Sequence, residues 1–597
     1  MSFIVPGDRS FVIIPKHSNL PLAPTHHQKQ PGNTIQQQEP YKNNPAQQFQ
    51  LRKKGTGEYH VFLPYDNLYW AIAGVSPEAG ASLIQWHMQD SGDQVSTNQR
   101  FRFMYAGDGY YYLRPVHARG RVLEVPGATH GQDVIKQGDL APVTARDHQL
   151  FRVVPASADY LANEAQSFHQ YNDLLRKAVL GAVGGLIPKG GFISGVLGVL
   201  WPDGHDQDFW NQMTQYVEQR IKERLKEQRI ADLNDNLTGA RQNAQEYAGT
   251  RHSNKLGKLI GAISAATQKE NTFLRAQDGI DVLSLLASWG TLVLSLRTEM
   301  VNQYDALHKN ETDAEVRREG KEDELTQLKD AIKRYGEAVQ RSRDGAMEWR
   351  LSKIKQEGSS GTRVKQLDRT RISIEWRQDS VTDHYDGWRM ERNWDNEKRN
   401  NGDPNGRANI TYAKQARIDQ VRAQFGAELD AILGPAYLWP YLDYTKPGQP
   451  TDQQVAVNVG TFGGRPGGTA FGMEAGGLKK VVICWADGHP FVCGLKLTYA
   501  DNVERTYGVM GSHQATLELA AGEYIVNARG YEWDLVEGLI LETNHGRLCE
   551  GGRMGQKAFF EAGLDDAVNA RLVGISGSYL NNFFNTLTFH WEYTLKK

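Results

Sequence analysis

The sequence predicts a multidomain chain in which an all-α helical bundle lies between two all-β modules, and three observations carry that prediction. The chain has 597 residues, well beyond the roughly 250–300 at which a single hydrophobic core stops growing. Its first and last quarters are rich in Tyr, Phe, Val and Gly without a long helical period, whereas the middle carries apolar residues every three or four positions. In the first module the tripeptide Gln-x-Phe recurs at 47–49, 99–101 and 149–151, spacings of 52 and 50 residues, and three such units imply threefold symmetry.

Composition excludes several classes. With 40% hydrophobic and 23% charged residues the chain reads as water-soluble and globular. Its 68 basic and 70 acidic residues leave a net charge of -2, so no nucleic-acid partner is expected from overall charge. Three cysteines, Cys484, Cys493 and Cys549, are too few for a disulfide framework and are expected as small buried hydrophobes. The N-terminus shows no basic stretch followed by a long apolar run, so a soluble protein without a signal peptide is expected.

The elements follow in order. Residues 1–156 alternate short apolar strands with turns, and the Phe of each tripeptide is expected in the core while its Gln bonds backbone. Residues 157–445 form the bundle. Phe209, Met213, Val217, Ile221 and Leu225, continued by Ile230, Leu233 and Leu237, make one apolar helical stripe, with Asp206 or Asp208 as its N-cap. Further helices are expected near 253–277, 281–305, 312–357 and 413–433. Val282–Leu296 carries no charge for 15 residues, short of the roughly 20 that cross a bilayer. An all-apolar helix of that kind belongs at the centre of a bundle. Residues 355–410 are charge-dense and contain a turn cluster at 400–406, so an exposed loop or insertion is expected. Residues 446–597 return to strands, with alternating runs such as Lys480–Trp485, Gly494–Tyr499 and Glu523–Val526.

Enzymatic signatures are missing. The sequence contains no metalloprotease His-Glu-x-x-His, paired Cys-x-x-Cys, hydrolase nucleophile elbow or phosphate-binding Gly-Lys-Ser/Thr loop. No catalytic residue, metal or cofactor is therefore expected. The cluster Gly463–Gly468 is no phosphate cradle, because neither Lys-Ser/Thr nor a helix follows it.

Three resemblances sharpen this outline. The Gln-x-Phe repeats resemble those of ricin B-type lectins, which implies a β-trefoil. In that family an early-strand Asp of each repeat grips sugar hydroxyls. The matching positions here are Ala23, Ala71 and Glu124, so Glu124 marks the one retained acceptor. The stretches Gly198-Val-Leu-Trp-Pro…Asp208-Phe-Trp…Val217-Glu-Gln-Arg-Ile221 and Asp281-Val-Leu-Ser-Leu-Leu-Ala-Ser-Trp…Leu292-Val-Leu-Ser-Leu-Arg297 resemble domain I of insecticidal crystal toxins, over roughly 160–443. That resemblance implies a helical hairpin of about 255–277 and 281–301 that crosses the target membrane as an oligomer. Its insertion residues would be Val282, Leu283, Leu285, Leu286, Trp289, Leu292, Val293, Leu294 and Leu296. The 355–410 segment and a trefoil placed ahead of the bundle depart from that family.

The last module resembles jacalin-related lectins, through the 463–468 glycine loop, Gly522-Glu-Tyr-Ile525, Gly546-Arg547 and Gly577-Ser-Tyr-Leu-Asn581. A β-prism is implied, with carbohydrate held by Gly463, Gly464, Gly577, Ser578, Tyr579, Leu580 and Asn581 and with Trp533 available to stack on a ring. Asn581 stands where the family has Asp, and an amide lacks the charge that strengthens such bonds. The combined expectation is a pore-forming toxin, soluble when made and acting outside the target cell on cell-surface glycans, a glycoprotein receptor and membrane lipid. Arg52–Lys54 and Arg369–Arg371 are candidate sites for proteolytic activation. The alternative is a multivalent lectin whose helices are only a spacer.

Overall fold

The computed structural model describes residues 10–156, 192–200, 227–250, 254–274, 283–395, 406–445 and 451–596, apart from short stretches at 42–43, 56–57, 90–96, 108–109, 119, 129–132, 143–144, 368–369, 386–387, 444, 464–466, 475, 533–534, 555–557, 565–569 and 581.

The first module contains β1 (Phe11–Pro15), β2 (Leu22–Pro24), β3 (Ile35–Gln37), β4 (Gln50–Gly55), β5 (Glu58–Leu63), β6 (Leu68–Ile72), β7 (Leu83–Trp86), β8 (Phe101–Gly107), β9 (Tyr110–Pro115), β10 (Arg121–Glu124), β11 (Lys136–Asp139) and β12 (Phe151–Pro155). Six of them close a barrel through the pairs β1–β12, β12–β9, β9–β8, β8–β5 and β5–β4. Phe11 and Phe49 complete the ring by exchanging backbone hydrogen bonds of 2.7 and 2.8 Å. The hairpins β2–β3, β6–β7 and β10–β11 are joined to one another by single bridges at Thr34–Ile84, Gln36–Val134 and Ser82–Lys136. A closed six-strand barrel with three linked hairpins is a β-trefoil.

The Gln-x-Phe repeat explains why the sequence folds this way. Phe49, Phe101 and Phe151 are fully buried in one core with Trp70, against which Phe49 and Phe101 pack edge-on. Each Gln pins the loop before it: Gln47 Nε2 donates to Glu39 O at 2.7 Å, Gln99 Nε2 to His87 O at 2.8 Å and Gln149 Nε2 to Asp139 O at 2.7 Å. In return their Oε1 atoms accept from Tyr41, Gln89 and Ala141 N–H at 3.1, 2.8 and 2.8 Å. A buried amide with both ends bonded holds a loop that would otherwise leave polar backbone unsatisfied.

The middle of the chain is helical: α1 (Phe192–Leu200), α2 (Glu227–Gly249), α3 (Lys255–Leu274), α4 (Leu283–Asn302), α5 (Ala314–Ser352) and α6 (Gly406–Ile432), followed by a 3-10 segment at Gly434–Leu442. The N-cap expected at Asp206 or Asp208 and the stripe from Phe209 to Leu225 lie outside the described residues. Asp313 caps α5 by accepting from the N–H groups of Glu315 and Val316 at 2.9 and 3.3 Å. The other helices and the 3-10 segment surround α4.

The charged stretch expected as an exposed loop or insertion is no loop over 354–395 but a folded antiparallel sheet, β13 (Ile354–Leu367), β14 (Thr370–Asp383) and β15 (Trp388–Asp395). It resisted recognition because β13 carries Gly358, Ser359, Ser360 and Gly361 and is exposed on both faces, so no apolar alternation marks it. Strand begins at Ile354, which ends the helix short of the expected 357, and α6 starts at Gly406, ahead of the expected 413. The sheet is fastened at its base by Asp383, which is fully buried and accepts from Arg350 at 2.9 and 2.8 Å and from Arg417 at 2.9 Å. Helices α5 and α6 are thereby tied to β14.

The last module has three four-stranded antiparallel sheets. They comprise β16 (Asp452–Phe462), β27 (Phe583–Lys596), β26 (Arg571–Leu580) and β17 (Thr469–Phe471); β20 (Glu504–Gly508), β19 (His489–Tyr499), β18 (Leu478–Ala486) and β21 (His513–Glu518); and β24 (Leu548–Gly552), β23 (Val536–Thr543), β22 (Ile525–Glu532) and β25 (Ala558–Glu561). Their inner faces meet in one core that includes Phe462, Tyr499, Phe589 and Trp591, which makes a β-prism. All three cysteines are buried within it, and burial pushes the Cys549 thiol up to about 12.

The trefoil and the prism touch although the bundle separates them in sequence. Arg102 pairs with Glu58 in the trefoil and lies 3.4 Å from Glu561 in the prism, and Arg114 reaches Gly546 O and, at 3.5 Å, Glu542. Glu542 also accepts from Arg529 at 3.0 Å, and Arg146 donates to His545 O at 3.2 Å. All three trefoil arginines are buried. The seam is ionic and hydrogen-bonded at its centre.

Candidate functional site

Four places bear on function, and the first is the glycine loop of the prism. The loop leaves β16 and returns to β17 beside the final hairpin, β26–β27. Gly463 has φ +100°, and a Cβ there would lie 2.0 Å from Asn585 O; at Gly468, with φ +94°, it would lie 2.6 Å from Tyr579 O. Only glycine permits that approach. Asn585 Nδ2 holds the loop from the other side by donating to Gly467 O at 2.9 Å, and Gly463 N–H donates to the Glu532 carboxylate.

The structure thus gathers Gly463 with Gly577, Ser578, Tyr579 and Leu580 at one end of a sheet. Gly464, Trp533 and Asn581 lie outside the described residues. Ser578 Oγ is 2.8 Å from Thr586 Oγ1, and Leu580 is 50% exposed. Tyr579 packs its ring 6.2 Å from Phe471 and 6.1 Å from Phe584, so much of its surface serves the core.

A second polar cluster on the prism was not singled out from sequence. Asp487 sits in the turn between β18 and β19, and its carboxylate is 2.6 Å from His513 Nε2 and accepts from Ser512 Oγ at 3.0 Å. The Trp485 ring stacks on His513 with centroids 5.7 Å apart. Bonds from His513 and Ser512, together with the His513 charge, hold the Asp487 carboxyl below the usual range. The result is an ionised, solvent-facing acceptor of fixed orientation beside an indole, a chemistry suited to sugar hydroxyls. Its only sequence signal is the turn Ala486-Asp-Gly-His489 between two alternating runs.

In the trefoil, Glu124 ends β10. Gln149 Nε2 donates to its Oε2 at 2.8 Å, His148 Nε2 stands 3.7 Å away, and the carboxylate lies against Gly138, where any Cβ would collide with it. Glu124 is partly buried, whereas Ala23 and Ala71, its counterparts in the other repeats, are buried. The Gln of the third repeat therefore serves both the loop and the acceptor.

The fourth place is α4. Leu283, Leu285, Leu286, Trp289, Leu292, Val293, Leu294 and Leu296 are each at most 1% exposed, while Val282 lies outside the described residues. Trp289 stacks on Phe273 with centroids 4.2 Å apart and donates to Tyr335 Oη at 2.9 Å; Trp439 Nε1 donates to Thr291 Oγ1 at 3.0 Å. The preceding α3 is amphipathic, burying Leu259, Ala262, Ala266, Glu270 and Phe273 and exposing Ile260. Among the described residues no helix is long and apolar enough to cross a membrane, and no group of His, Cys, Asp and Glu could hold a metal ion.

Comparison with known proteins places names on the two ends. Residues 3–86 match the family described as ricin-type beta-trefoil lectin domain-like, and residues 459–590 match the jacalin-like lectin domain. No curated protein sequence matches the chain. Among solved structures, the designed threefold-symmetric protein ThreeFoil is 25% identical, covering 24% of this chain and 97% of its own, with a TM-score of 0.22. Malaysian banana lectin is 20% identical over 23% of this chain and 98% of its own, with a TM-score of 0.20. The Bacillus thuringiensis insecticidal crystal protein Cry7Ca1 is 12% identical over 71% of this chain and 75% of its own, with a TM-score of 0.43.

Proposed function

We propose that this protein is a non-enzymatic, glycan-targeted toxin that perforates the target-cell membrane from outside, with insect cells as its targets. Its two lectin-like modules would concentrate it at a glycosylated surface, where weak contacts at several sites add by avidity. Helices α3 and α4 would then leave the bundle as a hairpin and assemble with other copies. The observation that carries this reading is α4, a helix of 20 residues in which the uncharged side chains from Leu285 to Leu296 are buried on every side ahead of Arg297 and Glu299, in a chain that carries lectin-like modules at both ends. At 1.5 Å per residue such a helix is about 30 Å long, the thickness of a bilayer core. The sequence resemblance of 198–221 and 281–297 to crystal toxins supports the same reading.

A locked bundle tests it. Glu270 on α3 accepts from Arg334 on α5 at 2.9 Å, so cysteines at these positions joined by a bismaleimide would tether the hairpin to its neighbour. The native thiols are buried and will not compete. Crosslinked E270C/R334C is expected to bind glycan normally but to lose dye release from vesicles of target-cell lipid, and a cleavable linker should restore release on reduction. Undiminished leakage from the locked protein sinks the pore.

The alternative, a multivalent lectin with a helical spacer, is favoured by one observation: no described helix qualifies as a span by itself. It requires agglutination without leakage from the unlocked protein. Both readings need a working sugar site. Asp487→Ala is expected to lower affinity on a glycan array by about tenfold or more, the effect of losing hydrogen bonds to a charged acceptor, with an unchanged melting temperature. An unaltered array profile would remove Asp487 from the site.

A further inference from the structure

The sheet β13–β15 belongs to neither lectin-like module and not to the helical core. β14 lies in its middle and pairs with both neighbours, so β13 forms one edge. Over Ile354–Leu367 the β13–β14 ladder runs without a bulge and the strand contains no proline. Every residue from Lys355 to Gln366 is exposed except Gly361, which is half-buried. Gly361 and Gly358 leave room for Trp376 and Asp379 of β14 to lie over them, one on each face of the sheet. The strand is therefore flat, regular and open along its outer side.

Outward N–H and C=O groups on an edge are a template for another strand, and natural sheets blunt them. The other edges of the three- and four-stranded sheets are blunted. β15, β17, β20, β21, β24 and β25 are short, with three to eight residues each. β16 has 11, but it carries a bulge between Val459 and Phe462 and packs against α6. β13 has 14 residues, and among the described residues no strand pairs with its outer side. Only charge is left to guard it.

The charges on β13 are Lys355, Glu357, Arg363 and Lys365. Two copies of a strand related by a two-fold axis pair antiparallel, each residue facing its counterpart across the centre. With the axis at Gly361, Glu357 faces Lys365 twice, Arg363 faces Ser359, Gln356 faces Gln366 and no like charges meet. With the axis at Ser360, Lys355 would face Lys365, and at Thr362 no charge faces another. One register thus turns the guarding charges into attraction. Lys365 already makes contacts within its own chain, but its ammonium has three donors and can serve a second acceptor. We propose that β13 is a dimerisation edge, which pairs antiparallel about Gly361 with β13 of a second copy of this chain. The two sheets become one of six strands, held by about ten interchain backbone hydrogen bonds and two Glu357–Lys365 pairs. Neither α3 nor α4 takes part, so the contact stands whether or not the hairpin leaves the bundle.

Sedimentation equilibrium of the full-length protein in detergent-free buffer tests the pairing. The parent is expected to dimerise reversibly. E357K should weaken the dimer by about tenfold or more, because two attractive cross-strand pairs become repulsive, and E357K/K365E should restore it by exchanging the charges within each pair. Both side chains are exposed, so the melting temperature of the monomer should stay near that of the parent. A nitroxide on Gln356→Cys reads the register, and the buried native thiols will not compete for the label. Each Gln356 faces Gln366 of the second copy, which sets the two labels about 35 Å apart at roughly 3.4 Å per residue. The proposal is overturned if the parent stays monomeric to the limit of its solubility, if E357K leaves the dimer as it was, if the charge swap fails to restore it, or if the labels stand at another separation. Each result stands apart from dye release, which reports on the hairpin α3–α4 instead.

Discussion

Replacing Asp383 with alanine is expected to destabilise the protein by about 3–5 kcal/mol, because it removes from a buried site the carboxylate on which two arginines converge. Arg350 and Arg417 converge on this one carboxylate from α5 and α6, and each also lies over an aromatic ring, Arg350 4.1 Å from the Tyr385 centroid and Arg417 5.2 Å from that of Trp388. Those rings partly shield both cations once the acid is gone, but cannot replace its charge. Asp383→Asn keeps the shape and loses only the charge, so it should lie between the alanine variant and the parent. Urea unfolding measures the loss, and limited trypsin digestion should show earlier cutting within 363–371. A parental unfolding midpoint for Asp383→Ala contradicts the clamp.

The same site fixes a pH dependence. Burial pushes the Asp383 carboxyl up, but hydrogen bonds from Arg350 and Arg417 and their charges outweigh it and hold the group below its ordinary range. A carboxylate depressed in the folded state contributes stability above its unfolded value, near 4, and that contribution is lost as pH falls through the folded value. The parent should therefore destabilise in acid more steeply than Asp383→Asn, and the two curves should converge at low pH.

The second large effect lies in the bundle. Trp289→Ala is expected to cost about 3–5 kcal/mol, the range for deleting a buried Trp or Phe. The indole is fully buried, stacked on Phe273 and hydrogen-bonded to Tyr335, so truncation opens a cavity and leaves the Tyr335 hydroxyl without its donor. Trp289→Phe keeps most of the volume and should cost about 1–3 kcal/mol for the lost hydrogen bond and the smaller ring. Comparing the two by calorimetry separates packing from polarity. A charge at Val293 is a poorer probe of membrane entry, because Val293 is enclosed on every side and an aspartate there would unfold the bundle before any lipid was met.

Periodicity and local repetition made part of this structure legible. Gln47, Gln99 and Gln149 recur because each pins an equivalent loop of the same barrel, and the uncharged stretch from Val282 reads as a helix that water never touches. The three-stranded sheet was illegible because both faces of β13 are wet and its glycines and serines resemble a turn. Asp487 was illegible for another reason: its partners Ser512 and His513 arrive from a different strand, 25 and 26 residues away. The seam between trefoil and prism joins Arg114 to Gly546 across 432 residues, a distance over which one sequence carries no pairing signal.

That seam has a mechanical consequence. Two recognition modules on a slack tether sample many separations and tolerate almost any arrangement of targets, at the cost of effective concentration. Here arginines buried against glutamates and carbonyls leave no hinge at the contact, so the two modules present whatever they hold at one set distance and one set angle. Such a head behaves as a caliper. With both modules occupied it would close on surfaces whose targets match its gauge and slip from those that carry the same chemistry at another pitch.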